Sequence, residues 1–167
     1  MGEGALKGAS KCIRLLVETE LSHNVRVINR RGAQLQTVRV VASVIRRGAR
    51  VLVCERPAHK RHGGMWEFPG GKLELGETIL DAARRELAEE LAVQVRSVGE
   101  QLFAIQDPGS QFIIEFHPVE ITGEPACLEH SSLAWVSYED LVKLPLAPSD
   151  RQFALFLAAR RPQASGE

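Results

Sequence analysis

The sequence predicts a mixed α/β (α+β) fold, in which helices pack on a mixed β-sheet. Its 167 residues, 44% of them hydrophobic and 25% charged, suit one globular domain with its own core. Segments rich in β-branched residues come before and after an amphipathic helix, and two further helices follow them. This order departs from the regular strand–helix alternation of a parallel sheet, and it therefore favours a sheet with mixed strand directions.

The N-terminal part of the chain carries weak structural signals. The stretch VRVINRRGAQL is compatible with a strand and a turn, so residues 1–36 are interpreted as an accessory hairpin or a partly disordered extension. The domain itself is predicted to span residues 37–161, and residues 162–167 are predicted to form a flexible tail.

Two strands and a helix are predicted next. The segments TVRVVASVI and RVLVCERP, joined by RRGA, predict a β-hairpin. A basic loop, AHKRHGGMW, leads into EFPGG, which predicts a short extended piece and a turn. A helix is predicted from Thr78 to Leu91, with Thr78 as its N-cap. Its inward face consists of Ile79, Ala83 and Leu87.

The rest of the chain predicts more strands and two helices. The segments VQVRSVGEQLFAI and FIIEFHPVEI predict further strands. The segment SLAWVSYEDLVKL predicts a strand that runs into a helix capped by Ser137. The segment SDRQFALFLAARR predicts a final helix, for which Ser149 is the candidate cap.

Composition narrows the class of protein. No apolar run approaches the ~20 residues of a membrane helix, and the N-terminus lacks the apolar core of a signal peptide. The three cysteines, Cys12, Cys54 and Cys127, show neither metal-binding nor disulfide spacing. We therefore expect a cytoplasmic protein with no membrane partner and no nucleic-acid polymer as partner. The sequence leaves the oligomeric state open.

Charge is unevenly distributed along the chain although the net charge is zero. Residues 1–62 contain 13 Lys and Arg against 4 Asp and Glu, whereas residues 63–167 contain 8 against 17. Such halves either neutralise each other on the surface or suit an anionic ligand that is bound together with a cation.

Three carboxylates are crowded into five residues of the predicted helix. Glu86, Glu89 and Glu90 share an arc of roughly 100°, because a helix has about 3.6 residues per turn. Like charges at this spacing repel each other unless a divalent cation binds them, and oxygen ligands favour Mg²⁺ or Mn²⁺ over Zn²⁺. The alternative is a solvated acidic face with Arg84 and Arg85 as partners. A Gly-Gly turn before the helix, where backbone can approach a ligand closely, favours the metal site.

This stretch resembles the Nudix box, which reads Gly, five residues, Glu, seven residues, then Arg-Glu-aliphatic-any-Glu-Glu-any-Gly-aliphatic. Eight of nine defined positions agree, namely Gly71, Glu77, Arg85, Glu86, Leu87, Glu89, Glu90 and Val93. The departure is Ala92, where the family has glycine. Glycine is favoured at a helix C-terminus because it reaches left-handed dihedral angles cheaply, so alanine there is expected to cost about 1 kcal/mol.

The resemblance implies a Nudix-type α/β/α sandwich around a mixed β-sheet. The resemblance also implies a hydrolase that acts on a nucleoside diphosphate linked to another group. It implies Mg²⁺ as the cofactor, with Mn²⁺ as a substitute. The implied metal ligands are the Gly71 carbonyl, Glu86, Glu89, Glu90 and Glu129. Glu77 and Arg85 are implied to hold the loop–helix shape. The general base is either Glu86 or Glu129, and the sequence does not choose between them.

The flanks, beginning with MWEFPGGKLELGE, resemble the MutT-like branch of nucleoside triphosphate pyrophosphohydrolases. The resemblance implies release of a nucleoside monophosphate and pyrophosphate from a small nucleotide such as 8-oxo-dGTP or a (d)CTP. Arg56 and Lys72 are then the implied phosphate ligands. The alternatives are a Nudix hydrolase of ADP-ribose or a dinucleotide, and a Nudix module that binds nucleotides without catalysis.

Two residues are candidates for contact with the base. Phe68 resembles a residue that lines the base pocket, although core packing explains it equally well. Asp150 takes the place of a polar side chain that reads the base edge, unless it only helps Ser149 to cap the last helix. An ionised Asp150 only accepts hydrogen bonds and suits an amino group of cytosine or guanine. A protonated Asp150 also donates, which requires burial to raise its pKa.

Overall fold

The computed structural model describes residues 26–28, 34–107 and 110–160 of the chain. Two short strands, β1 (Arg26–Ile28) and β2 (Gln34–Gln36), pair in antiparallel fashion and form a small sheet of their own. β1 lies within the stretch VRVINRRGAQL, for which a strand and a turn were predicted, and the residues of the turn lie outside the described ranges. The rest of the predicted extension and the predicted tail at residues 162–167 lie outside the described residues.

The predicted hairpin is confirmed as β3 (Val38–Arg47) and β4 (Arg50–Glu55). The two strands pair with each other next to their turn, where Arg46 faces Val51. Further from the turn, β5 (Trp66–Glu67) pairs with β4, and β6 (Gly70–Lys72) pairs with β3. Residues 66–72, called the inserted segment below, therefore lie between the two strands.

The remaining strands complete a mixed sheet, as predicted. They are β7 (Gln94–Val98), β8 (Phe103–Gln106), β9 (Phe112–Thr122) and β10 (Ser132–Ser137). The main order is β10-β4-β3-β9-β7, with β8 paired to β9. β3 and β9 run parallel, in register from Val38 with Phe112 to Ile45 with Val119, and the other pairs are antiparallel.

Three helices cover the sheet: α1 (Ile79–Leu91), α2 (Tyr138–Leu141) and α3 (Pro148–Ala159). Thr78 caps α1, because its side chain accepts the Asp81 amide hydrogen bond and the Asp81 side chain accepts that of Thr78. Ser137 caps α2, as predicted. α1 ends at Ala92, which adopts left-handed dihedral angles, with φ of 55° and ψ of 32°.

The predicted cap of the last helix is wrong. α3 begins at Pro148, its N-cap is Ala147, and no side chain caps it. Proline suits the first helical position because its φ is already helical and its missing N–H is not needed there. Ser149 thus lies within the first turn, where its hydroxyl donates a hydrogen bond of 2.9 Å to Asp107 Oδ1.

Alternating side chains of the sheet build two cores, one on each face. Val41 and Ile45 of β3 pack with Leu87 of α1 on one face. Val44 of β3 and Phe153 of α3 belong to the core on the opposite face. The sheet therefore lies between α1 and the α2–α3 pair, which is the expected sandwich. Within the described ranges, no helix is long and apolar enough to cross a membrane.

Candidate active site

Two adjoining clefts open beside the inserted segment. The larger, of about 470 Å³, is lined by Glu67, Glu86, Glu90 and Glu129 among others and is called the carboxylate cleft. The second cleft, of about 240 Å³, is lined by Phe68 and Asp150 together with both apolar and charged neighbours. Both clefts share five lining residues, which are Arg56, Glu67, Gly70, Gly71 and Lys72. A ligand that spans both clefts therefore passes over the inserted segment and two cationic side chains.

Helix α1 supplies two of the three predicted carboxylates to the carboxylate cleft. Glu86 and Glu90 line it, whereas Glu89 is not among the lining residues and its side chain is 55% exposed. The arc that the three residues share is wide enough to place one of them on the solvent side. The metal-binding role of Glu89 stays a prediction from the resemblance.

The two glycines of the inserted segment allow close approach of the helix. A side chain at Gly71 would overlap the carboxylate of Glu86. Gly70 has a φ of 143°, and a side chain there would overlap the Val41 carbonyl. The Gly70 amide donates a hydrogen bond of 2.9 Å to Glu90 Oε2. Replacement of either glycine would therefore displace a carboxylate or the sheet itself.

Arg85 joins the loop before α1 to the helix, as the sequence predicted. Its guanidinium donates two hydrogen bonds of 2.8 Å to the two oxygens of Glu77. It also donates to Glu86 Oε1 at 2.7 Å and to the Lys72 carbonyl at 2.9 Å. These contacts, with a hydrogen bond from the Glu74 amide, lower the pKa of Glu77 to about 2. Arg85 thereby fixes the direction of the Glu86 carboxylate.

Glu90 is the most buried carboxylate of the carboxylate cleft. Burial, together with the charges of Glu67, Glu86 and Glu129, raises its pKa to about 8 against the opposing effect of the Gly70 amide. This cleft therefore concentrates negative charge that a cation would offset.

The predicted phosphate ligands, Arg56 and Lys72, line both clefts. Arg56 forms an ion pair with Glu67 and donates to the Arg61 carbonyl at 2.7 Å. Lys72 is exposed, with Nζ 5.1 Å from the centre of the Phe112 ring. Arg56 is thus fixed by protein groups, whereas the ammonium of Lys72 reaches solvent.

Asp150 lies at the buried end of the second cleft. Its Oδ1 accepts a 2.8 Å hydrogen bond from the Phe68 amide. Burial nevertheless raises the pKa of Asp150 to about 8. The carboxyl is then mostly protonated at neutral pH, so it has an O–H donor, which is the condition that the sequence left open.

The Phe68 ring packs in the core on the α3 side. It meets Phe116 and Phe153 edge-on, with ring centres 5.8 Å and 5.3 Å apart. Phe68 also lines the second cleft. Core packing, the alternative weighed from the sequence, accounts for its burial, and its contact with a base stays a prediction.

Two residues of the carboxylate cleft were not predicted from the sequence. Glu67 precedes Phe68 in the inserted segment, and His130 follows the predicted ligand Glu129. His130 Nε2 lies 3.2 Å from Glu67 Oε1 and 3.9 Å from Glu90 Oε1. Their positions in the sequence, next to the candidates Phe68 and Glu129, were the only signals that could have identified them. The contacts themselves join distant parts of the chain.

Glu129 occupies the rim of the carboxylate cleft. Its side chain is 50% exposed, and Lys60 Nζ approaches it at 3.5 Å. The loop that carries it is tied to the end of α1, since the Leu128 amide donates to the Glu90 carbonyl at 3.0 Å. Glu129 therefore faces the same cleft as Glu86 and Glu90, although it comes from a separate segment.

The donor set of the carboxylate cleft fits a hard divalent cation. Its carboxylate oxygens are the ligands that Mg²⁺ and Mn²⁺ prefer, and the absence of a Gly71 side chain lets the Glu86 carboxylate lie against the Gly71 backbone. Among the described residues, no three His, Cys, Asp or Glu side chains are grouped tightly enough to form a complete metal centre.

Comparison with known proteins extends these observations. The family profile of the NUDIX domain matches residues 36–156. The chain is 38% identical over 119 residues to the CTP pyrophosphohydrolase of Escherichia coli (strain K12), covering 70% of this chain and 87% of that protein. It is also 38% identical over 122 residues to the putative 8-oxo-dGTP diphosphatase 2 of Mycobacterium tuberculosis, covering 71% and 86%.

Solved structures show the same likeness. The solution structure of the Escherichia coli ORF135 protein aligns with a TM-score of 0.66 at 35% identity, over 79% of this chain and 96% of that chain. A structure of MutT, from a study of Aliivibrio salmonicida and Vibrio cholerae, aligns with a TM-score of 0.65 at 27% identity. That alignment covers 75% of this chain and all of the MutT chain.

Proposed function

Because this chain belongs to the Nudix hydrolase family, we propose that it hydrolyses nucleoside triphosphates to the monophosphate and pyrophosphate with Mg²⁺. The observation that carries the proposal is the pair of adjoining clefts, which share Arg56 and Lys72. Phosphates would lie over the carboxylate cleft and the base in the second cleft. The names of two relatives, a CTP pyrophosphohydrolase and a putative 8-oxo-dGTP diphosphatase, support a nucleotide substrate of this class.

Nudix hydrolases generally need a divalent metal, and in this chain Glu86, Glu90, Glu129 and the Gly71 carbonyl would hold it. Glu89 stays among the predicted ligands. When bound, Mg²⁺ would neutralise phosphate charge and lower the pKa of water. Mn²⁺ would substitute because it accepts the same oxygen ligands.

The protein's own groups then position the substrate and accept the proton. Arg56, fixed by Glu67, would bind phosphate oxygens with two N–H donors. Lys72 would attract the phosphates through the charge of its flexible ammonium group. The proton of the attacking water passes to a carboxylate, for which we favour Glu86 over Glu129. The Arg85 guanidinium orients Glu86, whereas Glu129 is half exposed.

The experiment is a pyrophosphate-release assay with a panel of normal and oxidised nucleoside triphosphates in Mg²⁺. We expect pyrophosphate rather than orthophosphate as product, and a loss of about 100-fold or more in Glu86→Gln. Glu100→Gln, an equivalent change at an exposed site outside both clefts, should retain the wild-type rate. Orthophosphate as the sole product, or equal rates in the two variants, would refute the proposal.

Asp150 is proposed to select the base through its protonated carboxyl. With Oδ1 engaged by the Phe68 amide, the O–H would donate to an acceptor on the base edge, such as cytosine N3 or guanine O6. Asp150→Asn retains a donor and should keep the wild-type base preference at pH 7, whereas Asp150→Ala should lose it. At pH 9 the wild-type preference should weaken while that of Asp150→Asn persists. Identical preferences in all three proteins at both pH values would exclude Asp150 from base selection.

A further inference from the structure

His130 lines the carboxylate cleft with a buried ring, and 4% of its side chain is exposed. It comes from the loop that is tied to the last turn of α1 by backbone hydrogen bonds to the Glu90 and Leu91 carbonyls. Its ring is therefore held against the site by the same helix that carries the carboxylates.

The hydrogen bonds of His130 define which ring nitrogen carries the hydrogen. Glu67 forms an ion pair with Arg56, and an ionised carboxylate only accepts hydrogen bonds. Nε2, at 3.2 Å from Glu67 Oε1, must therefore be the donor. Nδ1 is buried and has no hydrogen-bond partner among the described residues. An Nδ1 without a hydrogen suits this position, because a buried N–H there would have no acceptor.

A chain of contacts thus runs across the floor of the carboxylate cleft. Arg56 binds one oxygen of Glu67, and His130 binds the other. Glu90 Oε1 lies 3.9 Å from the same His130 nitrogen, and Glu90 Oε2 accepts the Gly70 amide hydrogen bond. Glu67 consequently joins His130 to the proposed phosphate ligand Arg56, and the α1 carboxylate of Glu90 lies next to them, beyond hydrogen-bond distance of Nε2.

We propose that His130 is a positioning residue: its Nε2–H fixes Glu67, and through Glu67 the guanidinium of Arg56, beside Glu90. This inference rests on the proposed function, which it deepens by assigning a residue that orients Glu67 and Arg56 next to the α1 carboxylate of Glu90. Residues that orient the ligands of a metal site typically change metal affinity or activity by about 10–100-fold when they are removed.

The geometry predicts which substitutions preserve this role. Glutamine places an amide N–H near the position of Nε2, whereas asparagine is one carbon shorter and reaches only the position of Nδ1. His130→Gln should therefore keep metal affinity and the KM for nucleotide within about threefold of wild type. His130→Asn and His130→Ala should weaken Mn²⁺ binding about tenfold and raise KM by a similar factor.

The test measures Mn²⁺ binding to the nucleotide-free protein by electron paramagnetic resonance, together with kcat and KM for the best nucleoside triphosphate. His59→Gln, His59→Asn and His59→Ala are the controls, because His59 is exposed and lines neither cleft. Melting curves confirm that each variant is folded. If His130→Ala does not fold, the comparison of His130→Gln with His130→Asn decides alone.

Equal effects of the glutamine, asparagine and alanine substitutions would overturn the inference, as would wild-type Mn²⁺ affinity in all three. A second test is the double variant that combines His130→Ala with Glu67→Gln. Its loss should be smaller than the product of the two single losses, because both substitutions break the same hydrogen bond. If the wild-type protein binds Mn²⁺ but releases no pyrophosphate, the proposed function fails, and the Mn²⁺ affinities still decide the role of His130.

Discussion

Replacing Ala92 with glycine should stabilise the protein. Ala92 ends α1 with a φ of 55°, a conformation that costs an L-residue roughly 1–2 kcal/mol. Glycine avoids this cost but loses roughly 0.5–1 kcal/mol more conformational entropy on folding. The net expected gain is about 0.5–1 kcal/mol.

Little else changes with this substitution. The Ala92 side chain is exposed, so removal of its methyl group leaves no cavity. Its backbone amide, which bonds to the Ala88 and Leu87 carbonyls, is unaffected. For a domain of this size, the gain corresponds to a rise in Tm of about 1–4 °C.

The assay is urea unfolding combined with thermal melting, and α1 itself provides the control. Ala88 is exposed in the same helix, and Ala88→Gly should destabilise the protein by about 1 kcal/mol because glycine is unfavourable in a helix interior. Both substitutions replace alanine with glycine, yet their effects on the free energy of unfolding should have opposite signs. If Ala92→Gly destabilised the protein as much as Ala88→Gly, the left-handed end of α1 would be refuted.

Two other predictions concern pH. The raised pKa of Asp150 means that the native state retains a proton that the unfolded state releases between about pH 4 and pH 8, so stability from this group falls as pH rises through that range. The Asp150→Asn variant should not show this fall in stability, which amounts to about 1.36 kcal/mol for each unit by which the pKa is raised. Urea unfolding at pH 5 and pH 9 measures the difference, and parallel stability curves for the wild type and the variant would contradict the prediction. The lowered pKa of Glu77 acts in the opposite sense, since its pairing with Arg85 stabilises the protein above its ordinary pKa of 4.5 and is lost as pH falls toward about 2. Glu77→Gln should therefore be less stable than wild type at pH 7 and equal to it near pH 2, and a deficit that persisted at pH 2 would show that the ion pair is not its cause.

Local chemistry made much of the fold predictable. The β3–β4 hairpin and the capped start of α1 depend on residues that are neighbours in sequence, and both are confirmed. The error at Ser149 has the same local origin. A hydroxyl is a good helix cap, but Pro148 is equally suited to the first helical position, and the helix begins two residues earlier than a Ser149 cap predicts.

The candidate site was predictable where it lies within one helix and its loop. The contacts of Arg85 with Glu77 and Glu86 span only a few residues. Glu67 and His130 were not predictable, because they meet only when the inserted segment enters the sheet and the loop after β9 folds onto α1. Helical periodicity also could not separate Glu89 from its neighbours, since exposure depends on what packs beside the helix.

The inserted segment makes the floor of the site a part of the sheet. Its backbone is paired on both sides, and further bonds join the Pro69 carbonyl to the Ser43 amide and the Trp66 amide to the Pro145 carbonyl. A surface loop opens by local fluctuation, but these amides become accessible only when the segment leaves the strands and the loop to which it is bonded. Their hydrogen exchange should therefore approach the rate set by global unfolding. The site and the fold would then be lost in a single event, and any substitution that lowers stability would raise the fraction of molecules without a site by the same factor as the fraction of unfolded molecules.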